Sequence, residues 1–117
     1  MEQGCLSIED MQLLKKIGIT TFYFTDVDYA IDRIRKKYNV IIYHRIPPFV
    51  DSSGKIKYSF IAKHCNSKTS WGGSIYIDTP NKLDSNIYEA KRRAIRAAAR
   101  WILAHKCKKV SIKSAKK

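Results

Sequence analysis

The stretch from Asn86 to His105, NIYEAKRRAIRAAARWILAH, decides the fold. It contains no Gly or Pro and is rich in Ala, so its helix propensity is high. Asn86 is suited to cap it, and Glu89 stands at the third helical position in a variant of the capping box. At 100° per residue, Ile87, Ala90, Ala94, Ala97, Ala98, Trp101, Ile102 and His105 fall on one side. Arg92, Arg93, Arg96 and Arg100 fall on the other. The small apolar side predicts a helix over 87–106 that lies close against a sheet.

Upstream, Val40–Ile46 reads as a strand that stops at Pro47-Pro48, since proline cannot donate to a ladder. Phe49–Gly54 reads as a loop with Asp51-Ser52-Ser53-Gly54 as its turn. Lys55–His64 alternates, with Ile56, Tyr58, Phe60 and Ala62 on one face, as a half-buried antiparallel strand does. Cys65–Ser70 reads as a polar loop, Gly72-Gly73 as a turn or bulge, and Ser74–Asp78 as a third strand ended by Pro80.

Before these strands, Val27, Ala30, Ile31, Ile34 and Tyr38 make one apolar stripe of a helix capped by Thr25 and ended by Asn39. Leu6, Met11, Leu14 and Ile17 recur at helical spacing after Ser7, with Asp10 in the capping-box position and Gly18 as the stop. Ile19–Phe24 reads as extended. The expected architecture is α+β: a three-stranded antiparallel sheet with two helices on one face, in the order α-β-β-β-α, plus a short N-terminal helix. The expected division is 1–24 as N-terminal helix and extended segment, 25–106 as the αβββα domain, and 107–117 as a flexible basic tail.

The 117 residues carry 23 Lys+Arg against 10 Asp+Glu, a formal charge of +13. Residues 1–84 account for +3, residues 85–105 for +4 and residues 106–117 for +6. Such asymmetry points to an anionic partner for the basic end. Apolar residues make up 44%, a globular composition. No apolar run is long enough to span a membrane, and the acidic N-terminus has no apolar stretch of the secretory kind. The three cysteines form no CxxC pair, which points to a reducing, cytoplasmic setting without a disulfide framework.

The sequence offers functional chemistry only in its charge. No Gly-rich phosphate loop is present, and Asp26, Asp28, Asp32 and Glu89 stand where helix starts explain them, so no enzyme and no cofactor are expected. His44, His64, Cys65, His105 and Cys107 lack zinc-ligand spacing, so no metal is expected. The arginines of the last helix suit phosphate oxygens through their planar fork. After Glu89 that helix has no acid, and like charges at Arg92, Arg96 and Arg100 repel at i, i+4. A face that accepts repulsion is a face that meets an anion. The competing readings are a plain solvated face, an acidic protein and a lipid surface. Lys82 and Lys91 flank the helix start, where free N–H groups also attract anions. Tyr43, Tyr76 and Trp71 are candidates for stacking on bases.

The αβββα order and the stretch Ser85-Asn86-Ile87-Tyr88-Glu89-Ala90-Lys91-Arg92-Arg93-Ala94-Ile95-Arg96-Ala97-Ala98 resemble the double-stranded-RNA-binding domain, whose final helix carries E-A-K-x-x-A-x-x-x-A. Gly54 followed by Phe60 is similar to that family's Gly turn and buried aromatic. The resemblance implies that Lys91, with Arg92 nearby, meets phosphates across a groove. Lys55 and Lys57 stand where the family places a His, and the first helix lacks its Pro-x-x-x-Leu-x-Glu opening. The junction Arg35-Lys36-Lys37-Tyr38-Asn39-Val40 is also similar to small αβββα proteins of bacterial genomes and mobile elements, which implies a bacterial or phage origin.

The sequence therefore predicts a non-enzymatic nucleic-acid-binding domain, RNA or DNA, with duplex favoured. Its phosphate contacts are expected from Lys82, Lys91, Arg92, Arg93, Arg96, Arg100, Lys106, Lys108 and Lys109. The alternative is a protein-interaction module using the sheet face or edge.

Overall fold

A computed structural model describes residues 4–20, 26–65, 74–77, 79 and 82–105. Its elements run α1 (Ile8–Lys16), α2 (Val27–Tyr38), β1 (Val40–His44), β2 (Phe49–Val50), β3 (Ile56–Lys57), β4 (Phe60–Cys65), β5 (Ser74–Ile77) and α3 (Ile87–His105). β1, β4 and β5 form a three-stranded antiparallel sheet in that order, and β2 pairs with β3 in a separate two-stranded ribbon. The chain is thus α+β. No described helix is long and apolar enough to cross a membrane.

The helix ends follow local chemistry. Ser7 and Asp10 make a reciprocal capping box at the start of α1. At its end Gly18 takes φ 84°, and the Ile19 and Gly18 N–H groups donate to the carbonyls of Leu14 and Lys15 at 2.9 and 3.0 Å. That is a Schellman closure, with Ile19 and Leu14 both buried beneath it. Asp26 caps α2, one residue beyond the expected Thr25, by accepting from the Asp28 N–H at 3.1 Å. Asn39, at φ 59°, ends α2 as expected, and its side-chain amide donates to the Cys65 carbonyl. The turn thereby ties α2 to the far end of β4. Asn86 caps α3 through its side-chain oxygen, which accepts from Tyr88 and Glu89.

The strands depart from expectation around the prolines. The first strand ends at His44 rather than Ile46, and the long strand over 55–64 is broken at Tyr58-Ser59. Because Pro47 and Pro48 cannot donate, the chain leaves the sheet there. Phe49–Val50, expected as loop, pairs with Ile56–Lys57 as a ribbon beyond the sheet edge. Tyr58 then exchanges both backbone bonds with Asp84, at 2.8 and 3.0 Å, before β4 rejoins β1. Arg45 fastens this junction by donating to the Ser59 hydroxyl and to the carbonyl and hydroxyl of Thr79.

Val40, Ala62 and Ile77 are buried on one face of the sheet, against Val27, Ala30 and Ile34 of α2 and Ala98 and Ile102 of α3. Strand alternation puts Ile41, Tyr43, Ile61, Lys63 and Tyr76 on the opposite face. α1 joins the same core through Leu14 and through the flanking Leu6, Ile17 and Ile19. It packs on α3, which is therefore buried on a broader arc than its Ala stripe predicts. Ile95 and Ala99 are buried, whereas Ala97 is only half-buried. The segment 107–117 and Trp71 lie outside the described residues, as do Gly72-Gly73, most of the 65–70 loop and part of the 19–24 extended segment.

Candidate nucleic-acid interface

The arginines of α3 meet anions, but the anions are carboxylates of the same chain. Arg92 donates to Glu89 at 3.0 and 3.2 Å and to the Cys5 carbonyl at 2.7 Å, leaving its side chain 11% exposed. Arg93 forms a two-pronged bond to Asp84, at 2.9 and 3.1 Å, which holds its proton still more firmly than usual. Arg96 donates to Asp10 at 2.7 Å and to Glu89 at 3.4 Å. Arg100 reaches Glu9 at 3.3 Å with 59% of its side chain exposed. Lys91 pairs with Asp28 at 2.6 Å, its ammonium 5.5 Å from the Tyr88 ring centre and 5.8 Å from that of Phe60.

Of the nine expected phosphate ligands, then, Lys91, Arg92, Arg93 and Arg96 are tucked against partners. Lys82 is exposed, Arg100 is exposed within a surface pair, and Lys106, Lys108 and Lys109 lie outside the described residues. The sequence shows no acid on α3 after Glu89; Glu89 itself takes Arg92 and also meets Arg96, and the other neutralising acids come from elsewhere. Glu9 and Asp10 sit on α1, Asp28 on α2 and Asp84 on the connector before α3. Asp10 carries two duties: one oxygen accepts from the Ser7 N–H at 3.0 Å to cap α1, and the other takes Arg96. Its role as a cap is readable from Ser7-x-x-Asp10; its role as the partner of Arg96 is not.

The open face of the sheet holds a second arrangement. Lys63 lies directly across from Tyr76 on β5 and from Ile41 on β1, with Tyr43 diagonal to it. Its ammonium is 5.4 Å from the centre of the Tyr43 ring and 5.7 Å from that of Tyr76. Burial, then the hydrogen bond with Tyr76, push the Tyr43 phenol above its ordinary value, so it stays neutral at physiological pH. Tyr76 is 64% exposed. β1, β4 and β5 contain no Asp or Glu.

On the covered side of the sheet, His64 faces Trp101 at 5.2 Å between ring centres, and His105 stacks on the same indole at 4.4 Å. The His64 Nδ1 is buried without a hydrogen-bond partner, and burial holds the imidazole below its ordinary value. Among the described residues, no three His, Cys, Asp or Glu side chains are grouped so as to hold a metal ion.

No family model, curated protein or solved structure matches this chain. Its function must therefore be inferred from its surfaces.

Proposed function

We propose that this chain is a non-enzymatic nucleic-acid-binding domain whose phosphate contacts come from Lys82, Arg100, Lys106, Lys108 and Lys109. The charge balance carries the reading. Glu9, Asp10, Asp28, Asp32, Asp51, Asp84 and Glu89 each already hold a Lys or Arg, while Lys15, Lys16, Arg33, Lys55 and Lys82 remain exposed. The chain as a whole carries a formal excess of +13, and among the described residues these five cations stay exposed to an anionic partner. Arg100 can serve despite Glu9, because an exposed pair of this kind is worth about 1 kcal/mol or less and exchanges readily for phosphate. Lys91, Arg92, Arg93 and Arg96 act as scaffold.

The order α2-β1-β4-β5-α3 is compatible with a likeness to the double-stranded-RNA-binding domain, with the β2–β3 ribbon as an insertion. The preference for duplex rests on a rigid, free arginine stripe, and three of its four arginines, Arg92, Arg93 and Arg96, are engaged within the fold. The test is anisotropy of labelled single-stranded and duplex oligonucleotides over a salt series. Binding should weaken with salt, with a log–log slope of about −0.9 per phosphate on duplex and about −0.7 on single strands. No binding at low salt would reject the reading.

A second reading, a protein-docking module, is favoured by the ribbon region, where Ile46, Phe49, Val50 and Ile56 are all exposed.

A further inference from the structure

The open face of the three-stranded sheet has no described helix against it. All three helices bury their apolar sides in the core on the other side. Across this face run Tyr43 of β1, Lys63 of β4 and Tyr76 of β5, one residue from each strand. An exposed tyrosine on a rigid strand offers a flat apolar surface at little cost in side-chain entropy. Tyr76 is such a residue and Tyr43 is half-buried, and the Lys63 ammonium lies within 6 Å of both ring centres. No carboxylate in the three strands opposes an anion there. Aromatic rings for bases and a central ammonium for phosphate are what an unpaired strand requires, whereas a duplex hides its base faces in the stack.

We propose that this face is a binding site for single-stranded nucleic acid, with bases stacked on Tyr76 and Tyr43 and a phosphate held by Lys63. The proposal rests on the nucleic-acid reading above and assigns it a surface and a strandedness. The lysines outside the sheet add general attraction; the tyrosines select for accessible bases. Ile41 and Ile61, half-buried on the same face, extend the apolar floor.

The experiment uses the full chain, with short fluorescent oligothymidylate and oligouridylate, an abasic strand of equal length and a duplex. Wild type should bind both base-bearing strands more tightly than the abasic strand. Tyr76→Leu, at an exposed position where a strand residue is retained, should weaken binding of the base-bearing strands roughly 5- to 150-fold, the range for one stacked base. Its salt slope should not change. Lys63→Gln should make the slope shallower by about 0.7 while leaving the preference over the abasic strand intact. An abasic strand bound as tightly as oligothymidylate, or a Tyr76→Leu variant that binds like wild type, overturns the sheet-face site and leaves the charge reading standing. A chain that binds none of the probes at low salt overturns both.

Discussion

Arg96 donates to Asp10 across 86 positions of sequence, at 2.7 Å, and Asp10 is wholly buried. The pair joins the middle of α3 to the first turn of α1. A buried carboxylate that loses its cation is left with the cost of its desolvation and only its capping bond to offset it. Arg96→Leu should therefore destabilise the fold by about 3 kcal/mol, measured by urea unfolding. A loss below about 1 kcal/mol would show that the pair does not fasten α1 to α3.

Arg100→Ala provides the contrast. It removes the same kind of pair, to Glu9 on the same helix, but both side chains are more than half exposed. Its cost in stability should stay under about 1 kcal/mol, while its effect on oligonucleotide binding should exceed that of any such small stability change. Parallel unfolding and anisotropy measurements separate the two effects.

These pairs mark where the sequence is legible and where it is not. The cap at Ser7, the Asn39 turn and the limits of α3 can all be read locally, since each depends on residues within a few positions. The apolar sides of α2 and β4 are equally plain, because periodicity alone exposes them. The arginine stripe misleads for a physical reason. Charge neutrality is settled in space: Glu89 takes Arg92 within α3, but Arg93 and Arg96 draw on Asp84 and Asp10, both outside their own helix. The break at Tyr58 is hidden similarly, since its partner Asp84 lies in a segment with no strand pattern. Lys63 is visible as a lysine on the polar side of an alternating strand, but its place between two tyrosines depends on register.

Asp51 predicts an acid-sensitive ribbon. Its Oδ1 accepts from the Ser53 hydroxyl at 2.6 Å, the Ser53 N–H at 2.9 Å and the Lys55 N–H at 3.1 Å. The Ser53 hydroxyl, followed by the Lys55 amide, lowers its pKa from 3.8 to about 2. The open turn therefore takes up the proton first, and the stabilisation is present above about 3.8 and lost as pH falls toward about 2. Amide shifts of Ser53 and Lys55 should titrate in that window, and Asp51→Asn should abolish the transition.

His64 predicts a second pH effect of defined sign. Burial lowers its pKa from 6.5, so the unfolded chain protonates first. Its contribution to stability should be full above about 6.5 and decline as pH falls toward the folded-state value. Thermal melts of His64→Phe should lose this dependence between pH 7 and pH 5 relative to wild type (an approximate window set by the ordinary imidazole range). An unchanged pH profile would place the effect elsewhere.

Neutralising the lysines expected to touch phosphate tests their role directly. The combined variant Lys82→Gln, Lys106→Gln, Lys108→Gln and Lys109→Gln should make the salt slope on single strands shallower, by about 0.7 for each phosphate no longer neutralised. Its unfolding midpoint should stay near that of wild type. A slope unaffected by all four substitutions would remove these residues from the interface.

The most direct test of nucleic-acid binding is the affinity of the wild-type chain for a short oligothymidylate, followed from low to physiological salt. Binding should weaken linearly on a log–log plot, with a slope of about −0.7 for each phosphate touched. Absence of binding at the lowest salt, or an affinity indifferent to salt, would contradict it.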